Sequence, residues 1–201
     1  MNLQIKIIKK HCFQLINSSR CKKLPYHNLQ HTLEVFENVQ TIGVFEEISD
    51  KDLEVLKIAA LFHDTGFAKT YIGHEEVSVI NARKFLKEKE YPDEFIENVI
   101  DCIRVTKIPQ QPISKTENIM CDSDLFHLSK KDYMLKSGLL LNELNLYLNL
   151  NITDEQWLVK NLNFLKKHQY FSNYGKVILR EKKIINISKL ENLVYQHSNN
   201  G

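Results

Sequence analysis

The chain has 201 residues, 43 % of them hydrophobic, and 27 Lys and Arg against 25 Asp and Glu give a formal charge of +2. A length of this order predicts one domain that buries roughly 70 % of its unfolded surface without disulfide staples. The near-zero charge argues against a dedicated nucleic-acid binder, six Gly and four Pro argue against an all-β chain of tight turns, and no apolar run approaches the ~18 residues of a membrane span.

In chain order the sequence reads as helix after helix. Asn2 to Ser18 places Leu3, Ile5, Ile8, Cys12, Leu15 and Ile16 at mostly helical spacing. From about His27 to Phe45 the residues Leu29, Thr32, Leu33, Phe36 and Val39 form an i, i+3, i+4, i+7 stripe. Asp50 reads as the N-cap of a third helix through Leu56, Ala59, Ala60, Leu61 and Phe62, apolar around most of its circumference and stopped at Gly66. Such a helix belongs at the centre of a core, and Phe36 and Phe62 are assigned to that core. A fourth helix is predicted from about His74 to Lys89, and Pro92-Asp93-Glu94 opens a fifth with Phe95, Val99, Cys102 and Ile103 inward. Pro109 and Pro112 break the chain. A helical pattern resumes at Asn118 and runs, interrupted near Ser129, to about Asn149. Thr153-Asp154-Glu155-Gln156 is a capping-box signature for a helix reaching His168. The more polar tail predicts weak helical pieces up to about Tyr195. The expected fold is all-α, one compact bundle of seven to nine helices with a short C-terminal helical extension. The start MNLQIKIIKKHC lacks the charge-first order of a signal peptide. Cys12, Cys21, Cys102 and Cys121 form no C-x-x-C pair and read as free thiols of a reducing compartment, so a cytoplasmic location is expected.

Three short segments carry chemistry. His27 and His31 stand at i and i+4, which puts two imidazoles on one helix face. His63-Asp64 closes the most apolar helix, where an ionisable pair is costly unless partnered or bound to a metal. Cys121-Asp122-Ser123-Asp124 supplies two further carboxylates. Each segment alone has an ordinary reading, as a hydrogen-bonded histidine or a helix cap. Together they offer imidazole and carboxylate donors that suit a divalent ion such as Mn, Fe, Co, Ni or Zn.

This order of residues resembles the HD superfamily of metal-dependent phosphohydrolases. YHNLQHTLEV is similar to that family's Tyr-His-Asn-x-x-His-Thr-x-x-Val opening, and LKIAALFHDTGF to its His-Asp helix. GHEEVSV resembles a Gly-His-Glu-x-x-Ser element, and CDSDLFHLS the family's Asp-Ala-Asp-Leu segment. The resemblance spans Leu24 to about Leu128 and implies an HD domain over 24–150. Residues 1–23 would form a helix packing on it, and 151–201 C-terminal helices of the same domain.

Carried over, the metal ligands are His31, His63, Asp64 and Asp124, with Asp122 the competing choice in the last motif. The metal would be Mn, Fe, Co, Ni, Zn or Mg. His27 would protonate a leaving oxygen and Asp64 would also serve as general base. His74 and Glu75 would contact substrate or hold a second metal. Arg104, Lys107 and Lys69 are candidates for substrate phosphate, although cations also suit a helix C-terminus with no ligand. Tyr26, Phe67 and Tyr71 are candidates for stacking on a base. Outside the resemblance, His168, Tyr170, Arg180 and Lys182 are read as a second group able to line a phosphate site.

The implied function is hydrolysis of a small phosphorylated metabolite, a nucleotide first, with no nucleic-acid polymer and no membrane as partner; a homodimer is one possible assembly, and the sequence leaves the oligomeric state open. A non-catalytic metal- or nucleotide-binding module and a diiron oxygenase are the alternatives. The oxygenase would need two further His ligands between His63-Asp64 and the last Asp, where this chain offers only His74.

Overall fold

The computed structural model describes residues 3–199, and among the described residues there are nine α-helices and no strand. They are α1 (Leu3–Asn17), α2 (Leu29–Phe45), α3 (Asp50–Phe62), α4 (His74–Glu88), α5 (Asp93–Arg104), α6 (Lys115–Asp124), α7 (Tyr133–Leu148), α8 (Asp154–Lys167) and α9 (Arg180–Asn199). Of the first predicted helix, Asn2 lies outside the described residues.

α3 is the hub. Leu56, Ile58, Ala59, Ala60, Leu61 and Phe62 are all buried, so helices contact it on every side: α1, α2, α4, α5 and α6. Burying each large side chain there contributes about 1.5–3 kcal/mol. α5 shows the opposite pattern, with Phe95, Ile96, Val99, Ile100, Cys102 and Ile103 turned inward and charges outward.

Several helix ends differ from expectation. Ser49, not Asp50, caps α3, its side chain accepting from the Asp52 N–H. α3 ends at Phe62 rather than Gly66, and a 3-10 turn over Thr65–Ala68 follows. Gly66 is needed for a different reason: a Cβ there would stand 1.9 Å from the His74 carbonyl oxygen. Its N–H donates to Ser78 Oγ at 2.8 Å, which locks the turn onto α4. α2 starts at Leu29 because Asn28 Oδ1 accepts from Gln30 and His31 N–H. α6 starts at Lys115, three residues before the expected point, because Ser114 caps it. The capping box of Thr153 and Gln156 is complete.

The tail departs furthest. It forms one 20-residue helix, α9, entered through a π-helical turn over Gly175–Leu179 and packed on α8. Its buried face includes Lys183, Asn186 and Leu190, so two of the inward positions are polar and mask the helical stripe. No helix is long and apolar enough to cross a membrane. The four cysteines are free and buried.

Candidate metal centre

Three helix ends converge. His31 lies in the first turn of α2, oriented by the Asn28 cap. His63 follows α3 directly, its N–H still bonded to Ala59, and Asp64 is the next residue. Asp124 is the last residue of α6. His31 Nε2 lies 3.4 Å from His63 Nε2, 3.2 Å from Asp124 Oδ1 and 3.4 Å from Asp64 Oδ2. His63 Nε2 lies 3.1 Å from Asp64 Oδ2 and 3.8 Å from Asp124 Oδ1. Donor atoms of His31, His63 and Asp124 all fall within 4.8 Å of one another.

The chemistry of these atoms calls for a cation. His63 Nδ1 is 2.8 Å from the Ala60 carbonyl oxygen, which can only accept, so Nδ1 carries a proton. In the neutral ring, Nε2 is then a lone pair facing another imidazole nitrogen and a carboxylate oxygen. Asp64 Oδ2 is buried without a hydrogen bond. A metal ion, or failing that a proton, resolves this crowding of lone pairs. Burial pushes His63 down, but the charges of Asp64 and Asp124 outweigh it and raise the ring to about 9. Burial raises Asp64 in turn, and the His63 charge outweighs it and holds the carboxyl well below its usual range. The Nδ1 bond to a backbone carbonyl is the orienting partner that metal-bound histidines generally have.

Asp124 thus faces the cluster and Asp122 does not. Asp122 carboxylate oxygens accept from Phe171 N–H, Ser172 N–H and Ser172 Oγ–H at 2.6 to 2.9 Å, which ties α6 to the chain before α9. The helical step of about 100° per residue sends side chains two apart to opposite faces, so one of this pair serves the cluster and the other the scaffold.

His27 stands beside the cluster, stacked on Phe67 with ring centroids 4.5 Å apart. Its Nδ1 pairs with Glu143 Oε1 at 2.5 Å. Burial lowers His27, but the Glu143 bond and the charges of Asp64, Glu143 and Asp124 outweigh it and raise the ring above its ordinary value. Glu143 is fully buried on α7 and also accepts from the N–H of Tyr26 and His27 and from Tyr71 O–H. Sequence reading missed Glu143, although one acid inside LLLNELNLYL was a usable signal. His127 was missed as well. Its Nδ1 lies 2.9 Å from Tyr26 Oη, and burial together with the nearby His31 lowers it to about 3, so it is neutral.

His74 also stacks on Phe67, with centroids 3.7 Å apart, donates Nδ1–H to the Tyr71 carbonyl, and places Nε2 3.5 Å from Asp64 Oδ1. Glu75 is next to it, with Oε2 3.7 Å from His74 Nδ1. Arg104 is placed elsewhere: it is exposed and its guanidinium pairs with Glu76. Lys107 is exposed on the rim of the cleft. Phe67 and Tyr26 are buried among the histidines, which makes them packing and orienting rings, while Tyr71 borders the cleft.

The cluster opens onto a cleft of about 800 Å³. One end is made by His27, Asp64, His74, Glu75 and Asp124. The other runs between α7 and α8 along Leu140, Leu144, Leu148, Trp157 and Phe164. Its inner polar groups satisfy one another: Trp157 Nε1–H and Asn161 Nδ2–H donate to Ser137 Oγ, and Tyr133 O–H donates to Asn161 Oδ1.

The sequence profile of the HD domain matches residues 28–129, half of the chain and all four of the converging residues His31, His63, Asp64 and Asp124. The chain belongs to the HD domain family. No curated protein matches it. Among solved structures, this HD domain is similar to the Lin1889 protein of Listeria innocua, at 21 % identity over 96 % of each chain with a TM-score of 0.64. It is also similar to a predicted HD superfamily hydrolase from an uncultured Thermotogales bacterium, at 17 % identity over 96 % of this chain and 91 % of that one, with a TM-score of 0.60. Both likenesses extend past the HD domain into α8 and α9, so the C-terminal helices are part of a shared fold.

Proposed function

We propose that this HD domain is a metal-dependent phosphoric ester hydrolase acting on a small phosphorylated metabolite, a nucleoside monophosphate first among them. The observation that carries the reading is the buried set His31, His63, Asp64 and Asp124, with an unsatisfied carboxylate oxygen, opening onto a cleft beside His27. When bound, a divalent ion supplies Lewis-acid polarisation of a phosphoryl oxygen and lowers the pKa of water toward ~7. The remaining work falls to side chains. Asp64 is the carboxylate placed to take a proton from the attacking water. His27 holds its proton toward the cleft, because Glu143 occupies Nδ1 and stabilises the charged ring, and it delivers that proton to the leaving oxygen. General acid–base help of this kind is typically worth ~10²–10⁴-fold.

The cleft favours one phosphate over three. Besides the charged His27 ring and the ion, its cations are Lys107 and Lys160, with no arginine among its lining residues. The planar bidentate donors that commonly grip a polyphosphate are therefore missing from this lining, which favours the smaller anion. Tyr71, Trp157 and the α7 leucines give a largely apolar wall for a nucleoside.

The test is metal content of protein purified without chelator, with phosphate release measured on a nucleotide panel from the same sample. Release that needs added Mn, Co or Ni and disappears in His63→Ala supports the hydrolase. Stoichiometric metal with no release from any compound overturns it in favour of a binding module. A second ion is the one variant of the reading that a particular contact favours. Asp64 presents Oδ2 to the His31 and His63 pair and Oδ1 to His74, so His74 together with Asp64 would help to hold a second ion if one binds. Two ions per chain, reduced to one by His74→Ala, is the expected signature. Paired iron with a near-ultraviolet charge-transfer band would instead indicate an oxygenase.

A further inference from the structure

A second cavity, of about 470 Å³, lies between the end of α8 and the start of α9 and shares no lining residue with the metal cleft. His168, Lys176, Arg180 and Lys183 line it. Lys183 is 5 % exposed and has no carboxylate partner among the described residues. Its ammonium donates to the His168 carbonyl at 2.5 Å and to His168 Nδ1 at 3.2 Å, which leaves one of its three protons unused. Because His168 Nδ1 accepts, its neutral ring carries the other proton on Nε2, and that atom is buried with no hydrogen-bond partner. Lys176 and Arg180 are exposed at the mouth and form no ion pair among the described residues. The nearby carboxylates are engaged: Asp122 with Phe171 and Ser172, and Glu191 with Lys166.

Every uncommitted polar group of these four residues is therefore a donor or a positive charge. A buried ammonium with only neutral partners is costly, and an anion in the cavity removes the cost. Lys176 lies inside the π-helical turn and Arg180 directly follows it. Such turns are rare and concentrate at functional sites. Burial together with the charge of Arg180 lowers Lys183 to about 8, outweighing the opposing charge of Asp122, and burial with the charge of Lys183 lowers His168 to about 3.

We infer that this C-terminal pocket binds a small phosphorylated anion, held by Lys183, Lys176 and Arg180. Three cationic groups match a phosphoryl group, which offers three or more acceptor oxygens, better than a carboxylate with two. Lys182, grouped with these residues from sequence, does not line the cavity, while Lys176 and Lys183 do. Tyr170 lines the wall and carries the Lys183 ammonium over its ring at 5.3 Å.

The experiment is equilibrium binding of inorganic phosphate and of ribose 5-phosphate to the metal-loaded full chain, with and without chelator. A site in this pocket predicts binding that survives the chelator. The Lys176→Gln/Arg180→Gln double variant changes only exposed side chains, and it is expected to weaken that binding roughly tenfold or more with metal content unchanged. Binding that vanishes entirely with chelator, or that the double variant leaves intact, overturns the inference. Vesicles with and without phosphatidic acid separate a free phosphate from a lipid headgroup. Capture by phosphatidic-acid vesicles without binding of either soluble probe also overturns it.

Discussion

Two buried polar clusters of opposite sign sit in this molecule, on either side of the segment Leu125–Ser129. At the metal centre, His31, His63, Asp64 and Asp124 crowd lone pairs together, and an acceptor, Asp64 Oδ2, is left over. In the C-terminal pocket, Lys183 spends two of its protons on His168, and a donor, His168 Nε2, is left over. Buried polar groups ordinarily satisfy one another, as Glu143 does with four donors and Asp122 with three. Buried atoms without a partner also occur at Arg20, Gln110 and Ser123, but these two clusters of charged and titratable groups are left unsatisfied in complementary ways. The donor set of the first suits a cation and that of the second an anion, which is the basis of the metal-dependent function and of the anion pocket proposed above.

The sharpest break of this comparison removes the cation site. His63→Ala or Asp64→Ala is expected to abolish metal binding and lower phosphate release by on the order of 10³-fold or more, read by metal analysis and turnover, while chelator-resistant phosphate binding persists. Loss of both functions together would mean that the clusters are not independent.

Next in size is the proton donor. His27→Asn should lower kcat by roughly 10²–10⁴-fold with metal content retained. Glu143→Gln should cost ~10–100-fold. Because Glu143 raises His27, and the acid works only while protonated, the variant's activity should also fall away at lower pH than the parent's. A pH–rate profile that keeps its alkaline limb in place would remove His27 from that role.

Gly66→Ala tests whether the turn after Asp64 is fixed by close packing. The added methyl meets the His74 carbonyl, and a destabilisation of about 1–3 kcal/mol in urea unfolding is expected. Unchanged stability would show that the turn can move away from α4.

The smallest effect lies at the half-buried Glu34 and gives a baseline for charges that are balanced. Burial pushes Glu34 up, but Lys136 at 2.6 Å, with Gln30 and Lys130, outweighs it and holds the carboxyl at about 2. A lowered carboxyl stabilises the fold above its unfolded value of 4.5, and that contribution fades as pH falls through about 2. After discounting for solvent, about 1 kcal/mol is expected. Glu34→Gln should therefore be less stable than the parent at pH 7 and converge with it near pH 2, as followed by thermal unfolding.

What the sequence by itself determined was the local chemistry. Helical periodicity marked the helices of the bundle, because burying one face imposes a 3.6-residue spacing wherever that face is apolar. The capping box at Thr153 and the apolar run ending at Phe62 were legible for the same local reason, and His31, His63, Asp64 and Asp124 stood in short recognisable segments. The tertiary structure decided what spacing cannot encode. Only packing shows that Asp124 faces the two histidines while Asp122 accepts from Phe171 and Ser172, since both oxygens and partners arrive from distant parts of the chain. Only packing brings Glu143 to His27 across 116 residues. And only the contact of α8 with α9 turns a polar tail into one helix with Lys183 inside it, because a buried polar residue breaks the hydrophobic pattern that would otherwise announce the face it belongs to.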